Sequence, residues 1–204
     1  MYINNLYMVK YMNSKGEEPW HYGFEHKQID EKPIERLIEK IQIKEDDLIA
    51  DLASGPGRFS IEFAKRVNKG LVYAIDISEE ALETLKDSLN KKKINNVKIL
   101  LADISKKIPL DNNSIDIVFM ANAFHGFVHG GTWSNVLKEA YRILKSDGKL
   151  AILEFKKTHR PPGPPINIRI SYEELSELLL KEKFTPILVD DIEDNHYLVI
   201  SRPK

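Results

Sequence analysis

Polar residues capable of chemistry recur where short apolar runs end. LIADLA (48–53) carries Asp51 and passes at once into Ser54-Gly55-Pro56-Gly57-Arg58. LVYAIDI (71–77) carries Asp76, 19 residues past Gly57; VKILLADI (97–104) carries Asp103, and IDIVFMA (115–121) runs into Asn122. Gly55 and Gly57 let backbone approach a ligand with no Cβ in the way. A helix opening at Arg58 aims free N–H groups at that ligand. An acid at Asp76 is placed to accept hydrogen bonds from both ribose hydroxyls. The plainer alternatives are an ordinary glycine turn and an aspartate helix cap. Against a dinucleotide, the third position of a G-x-G-x-x-G pattern is Ser60 and a proline separates the two glycines. Asp103 suits an adenine amino group better than a pyrophosphate. The set points to a ligand with amino-acid, ribose and adenine parts.

His125, in ANAFHGF just after the fourth run, is the candidate general base, because an imidazole exchanges protons near neutral pH. The alternative is a histidine that packs or caps beneath the loop. His129 follows it by four residues. His21, His26 and His159 complete no metal-ligand spacing, so no metal is expected.

These side chains need a scaffold that gathers run ends at one edge. The apolar runs, with KLAILEF (149–155), read as strands of a parallel sheet buried on both faces. Helical patterns lie around and between them: PIERLIEKI, GRFSIEFAKRV, SEEALETLKDSLNKK and WSNVLKEAYRILK. Ser78 is the expected N-cap of the third, and Asp147-Gly148 the expected stop of a helix ending at Leu144-Lys145. SYEELSELLLKEK is a further helix with a capping box from Ser171 to Glu174, and FTPILVDDI and NHYLVISR form a closing hairpin. The fold class is α/β: a Rossmann-like doubly wound sheet of about seven strands, mostly parallel, with a C-terminal antiparallel strand and helices on both faces. In such sheets ligands bind at the carboxyl edge, where the strand order reverses.

Composition narrows the field. Thirty Lys and Arg against 31 Asp and Glu give a net charge of −1 over 204 residues, against a nucleic-acid partner held by bulk charge. The absence of cysteine excludes disulfides, thiolate zinc and cysteine catalysis. No run approaches the ~18 apolar residues of a membrane span, and no signal peptide is read, so a cytoplasmic protein is expected. One domain is expected over residues 1–204, with a core at 27–156 and a Pro-rich loop, helix and hairpin at 157–204.

In order and spacing these residues resemble the class I S-adenosylmethionine (SAM)-dependent methyltransferases, in particular the type 11 ubiquinone/menaquinone methyltransferase-like members. DLASGPG resembles that family's glycine-rich first motif, VYAIDIS its acidic second, LLADI its third, IDIVFMANAFHGF its fourth, and RILKSDGKLAILEF the turn and strand that follow. The resemblance implies SAM as cofactor, S-adenosylhomocysteine as product, and methyl transfer to a small-molecule acceptor by in-line displacement. It implies that Asp51, Ala53, Ser54, Gly55, Gly57 and Arg58 surround the methionine part, and that Asp76 and Ile77 meet ribose and adenine. Asp103 and Ile104 meet the adenine edge, and Asn122 and Ala123 line the path to the acceptor. The segment at 1–26, with Tyr22 and Phe24, is implied as a lid. Two departures stand out: Ala53 replaces the family's usual first glycine, and Asp147-Gly148 replaces its Pro-Gly-Gly turn. A protein acceptor and SAM binding without turnover are the alternatives, and a homodimer is left open. The loop at 157–165, with Lys157, His159 and Arg160, is read either as a contact for an anionic acceptor or as a stiff connector.

Overall fold

The computed structural model describes residues 31–158 and 163–204. The proposed lid, His21 and His26 lie outside the described residues, as do His159 and Arg160. In chain order the elements are α1 (Glu31–Ile41), β1 (Leu48–Leu52), α2 (Arg58–Arg66), β2 (Leu71–Asp76), α3 (Glu79–Lys92), β3 (Val97–Leu101), β4 (Ile115–Ala121), α4 (Phe124–His129), α5 (Trp133–Ile143), β5 (Leu144–Phe155), α6 (Tyr172–Lys181), β6 (Phe184–Glu193) and β7 (His196–Pro203). The strands form one sheet in the order β3-β2-β1-β4-β5-β7-β6. β1 to β5 pair in parallel, and β7 runs antiparallel to β5 on one side and β6 on the other. This is the α/β class expected, with β7 as its antiparallel strand.

Alternation along each central strand divides the core into two layers, because successive side chains leave a strand on opposite faces. Ala50, Leu52, Val118, Met120, Leu150 and Ile152 pack in one layer with α5 and α6 through Val136, Leu137, Leu175 and Leu179. Ile49, Ile117, Phe119, Ala151 and Leu153 pack in the other with α1 and α2 through Leu37, Ile41, Phe59 and Phe63. The two-faced burial explains why these strands read as continuous apolar runs. Ser78 caps α3 by accepting from Ala81 N, and Ser171 and Glu174 form the expected capping box on α6. The Asn96 amide closes the end of α2 by donating to the carbonyls of Ala64 and Val67.

Two local expectations are corrected, and one short helix is added. Helix α5 ends at Ile143, and Leu144 is already extended (φ −67°, ψ 140°), so Asp147-Gly148 does not stop the helix. Leu144 pairs instead with Ile115, and the register then slips so that Lys149 pairs with Ile117. Gly148 sits in that bulge, where a Cβ would lie 3.0 Å from the carbonyl oxygens of Asp116 and Lys145. Strand β3 is not buried on both faces: it has one neighbour, and Leu101 is 59% exposed. The short helix α4, not assigned from sequence, directly follows the Asn122-Ala123 corner.

The layer holding α2 rests on three rings. Phe119 lies 4.9 Å from both Phe59 and Phe63, edge-on to the latter at 86°. Phe119 is fully buried one strand away from Asp51, its register partner. Phe119→Ala should therefore lower unfolding free energy by about 3–5 kcal/mol, through lost burial and an unfilled cavity. Urea unfolding measures this directly.

Candidate functional site

The strand order reverses between β1 and β4, so the chain leaves these adjacent strands toward opposite sides. Both exits take a left-handed backbone at a non-glycine residue, Ala53 (φ 56°) and Asn122 (φ 54°). That conformation costs roughly 1–2 kcal/mol for a residue with a Cβ, less for asparagine. The turn thus accommodates the alanine that stands where the family has glycine.

The loop after β1 is tied toward β2. Ser54 N donates to the Ile75 carbonyl (3.1 Å), and Gly55 N donates to Asp76 Oδ2 (2.7 Å). The other Asp76 oxygen accepts from Ser78 N at 2.8 Å. Gly57 closes the loop (φ 77°) beneath α3, where a Cβ would lie 2.2 Å from Leu85 Cδ1. Gly55 is also left-handed (φ 53°), but a Cβ there would meet nothing within 4 Å. One glycine is required by packing below, and the other faces open space. Helix α2 opens at Gly57 with no side-chain cap and no acid in its first turn.

Asp51 is buried under this loop and accepts from Ser60 Oγ at 2.5 Å. Burial pushes its carboxyl up to about 7; the Ser60 hydrogen bond opposes that rise, and the nearby Asp76 charge adds to it. Asp103 differs. It sits two residues past β3, accepting from Ser105 Oγ (2.6 Å) and Ser105 N (3.0 Å) with Lys106 at 3.3 Å. Burial works against its ionised form, but the Ser105 donors and Lys106 hold its carboxyl below the usual range.

The predicted residues thus divide. Asp51, Ala53, Ser54, Gly55, Gly57 and Asp76 form one bonded unit with the start of α2, whose first residue is Arg58. Asp103 is tied into its own turn. Ile104 and Ala123 are buried in the core. Ile77 is 49% exposed beside Asp76, near the exposed Leu101 on the neighbouring strand. Two buried polar atoms at this edge, Ser54 Oγ and Asn122 Oδ1, have no partner among the described residues.

His125 lies in the first turn of α4, with its side chain 8% exposed. Its Nδ1 meets both oxygens of Glu154, at 2.9 and 3.1 Å, and its backbone N–H donates to Glu154 Oε1 at 3.1 Å. Glu154, near the end of β5, was missed in the sequence. The available signal was one acid inside the apolar run KLAILEF. His129 turns to a separate groove of about 330 Å³ between α4, α6 and the 167–170 segment. Lys157, at the mouth of that groove, is ion-paired with Glu174 at 2.7 Å. No group of acids and histidines among the described residues is arranged to hold a metal ion. No described helix is long and apolar enough to cross a membrane.

A reversed-order sheet with a glycine loop, an acid on the next strand and open space above defines a Rossmann-like methyltransferase fold. Comparison with known proteins agrees. The methyltransferase domain profile matches residues 49–148. The crystal structure of a SAM-dependent methyltransferase from Aquifex aeolicus is 30% identical, with a TM-score of 0.78 over 84% of this chain and 89% of that one. The ubiquinone/menaquinone biosynthesis C-methyltransferase UbiE of Neisseria meningitidis is 36% identical over 126 residues, 61% of this chain and 49% of that protein. A demethylmenaquinone methyltransferase of Lactobacillus johnsonii is 29% identical over 164 residues, 80% of this chain and 63% of that protein. This chain therefore spans about half the length of the Neisseria protein. It belongs to the class I SAM-dependent methyltransferases.

Asp51 makes a pH prediction. A carboxyl raised to about 7 when folded, from 3.8 when unfolded, binds more protons in the folded state between those values. Stability should fall as pH rises from about 4 to about 7, then level off. Asp51→Asn should remove that fall, gaining on the order of 2–4 kcal/mol relative to wild type across the window. Urea unfolding of both proteins through this range is the measurement.

Proposed function

We propose that this protein transfers the methyl group of SAM to a small-molecule acceptor in the cytoplasm. The observation that carries the reading is the loop at the β1–β4 reversal: Asp76 holds Gly55 from one side while Gly55 faces open space on the other. In this reading the chain is one domain, with residues 27–156 as its cofactor-binding core and a Pro-rich loop, helix and hairpin after it.

The residues suit the cofactor part by part. Asp76 has one hydrogen bond on each oxygen, which leaves acceptor capacity for ribose hydroxyls. Ile77 gives an exposed apolar surface for adenine, and Asp103 with the backbone of Ile104 meets its edge. Ser54 Oγ supplies a polar atom that lacks a partner among the described residues, beside the uncapped N-terminus of α2 at Arg58 where a carboxylate is favoured. Asp51 braces the loop from beneath through Ser60. Asn122 and the backbone of Ala123 line the way to the acceptor, and His125 is the candidate base.

Bound SAM supplies an electrophilic methyl on a sulfonium. The protein's own work is to align the acceptor in line with that methyl and exclude water, since positioning lowers the barrier to displacement. One relative is named a C-methyltransferase of ubiquinone/menaquinone biosynthesis and another a demethylmenaquinone methyltransferase, which makes a quinol-like ring the first acceptor class to try.

Calorimetry with SAM and S-adenosylhomocysteine tests the reading, and no binding at high micromolar ligand overturns it. Methyl-labelled SAM added to cell extract separates small-molecule from protein acceptors. Asp76→Ala removes ribose acceptors and loosens Gly55. It should weaken S-adenosylhomocysteine binding by about 1.5–3 kcal/mol per lost charged hydrogen bond.

A further inference from the structure

Glu154 is 1% exposed, at the end of an apolar strand. A carboxylate there survives only if its oxygens are satisfied. Its partners are the His125 ring, the His125 backbone N–H and, at 3.3 Å, the N–H of Phe155. Burial disfavours the ionised form, yet His125 and these backbone donors hold the carboxyl below its usual range. An ionised carboxylate only accepts hydrogen bonds, so the His125 nitrogen that faces it must carry the proton. The other nitrogen, Nε2, is hydrogen-bonded to none of the described residues and is not among the buried, closed-off atoms. The imidazole follows Asn122-Ala123 at the end of β4, beside the strand that feeds the glycine loop.

We infer that Glu154 is a positioning residue that locks His125 with its proton on Nδ1 and its lone pair on Nε2, and that the acceptor is one that must give up a proton as it is methylated. The second half rests on the methyl-transfer reading above. A protonated acceptor and a sulfonium give methylated acceptor, neutral thioether and one proton. The acceptor's electron pair forms the new bond, the carbon–sulfur pair stays on sulfur, and Nε2 takes the proton and passes it to water. A thioether acceptor has no proton to lose, and this arrangement would be idle for it. A ring carbon or hydroxyl of a phenol or quinol uses it fully.

The remaining charged groups do not confuse the assignment. His196 and Tyr197 on β7 both feel Glu154. Burial, aided by Arg169, Arg58 and Lys156, holds His196 down to about 4, and burial raises Tyr197 above its ordinary value. Neither changes charge near neutral pH. On α4 itself, His129 lies in the separate groove.

The test has a readout independent of turnover. Long-range proton–nitrogen spectra of uniformly labelled protein at neutral pH, with the signal assigned by its loss in His125→Gln, report the tautomer. Wild type should show the Nδ1–H form, and Glu154→Gln should shift population to the Nε2–H form. A wild-type Nε2–H form, or an unchanged spectrum in Glu154→Gln, overturns the positioning role. With a reduced naphthoquinone bearing an unsubstituted ring carbon, Glu154→Gln should lower kcat roughly 100-fold, the low end of a base's contribution. Affinity for S-adenosylhomocysteine should be unchanged, and Glu154→Asp should restore part of the rate. Transfer to a simple thioether, or none to the reduced naphthoquinone, overturns the acceptor class. Failure to bind S-adenosylhomocysteine overturns the methyl-transfer reading while the spectra still decide the dyad.

Discussion

β1 is hydrogen-bonded in parallel on both sides, to β2 and to β4, and everything at the site depends on that constraint. Parallel pairing sends all the central strands to the same edge, so their ends arrive together even though they are far apart in sequence. Because the chain leaves β1 and β4 toward opposite sides, the two exits separate and a crevice opens between them. The left-handed corners at Ala53 and Asn122 are the local cost of that divergence. The Gly55–Asp76 hydrogen bond then pins the loop to β2.

Packing a cationic or hydroxyl-rich ligand at that edge places acids where water is scarce. The protein meets this problem in three ways. Asp51, fully enclosed, is pushed toward its neutral form and keeps one short bond to Ser60. Asp76 satisfies each oxygen with a backbone N–H, so it organises the loop and retains acceptor capacity. Glu154 stays ionised by taking the His125 imidazole as its partner. Carboxylates in three surroundings yield a brace beneath the loop, a tie that keeps acceptor capacity to spare and the partner of a buried imidazole. The decisive quantity each time is how many donors offset the loss of water.

Much of the fold was legible because its signals are local. Continuous apolar runs located the strands, Ser78 and Ser171 located helix starts, and the glycine loop and Asp76 lay within one strand-loop-helix-strand unit. The errors share a cause. Asp147-Gly148 has the chemistry of a helix stop, but pairing with Ile115 draws Leu144 into the sheet first, and the glycine serves a bulge. β3 has the apolar composition of an inner strand, yet its place at the sheet edge leaves it partly exposed.

By itself the sequence determined the order of the strands and longer helices, the residues at the ends of the first four strands and the family they resemble. These follow from periodicity, turn chemistry and short-range spacing. Only the tertiary structure decided which strands lie side by side, which of two glycines is needed for packing and which faces open space, and what His125 touches. Glu154 is 29 residues from His125, and each alone is an unremarked polar residue near an apolar run. The pair exists because parallel pairing of β4 and β5 brings their ends together, and a buried carboxylate must find a donor there.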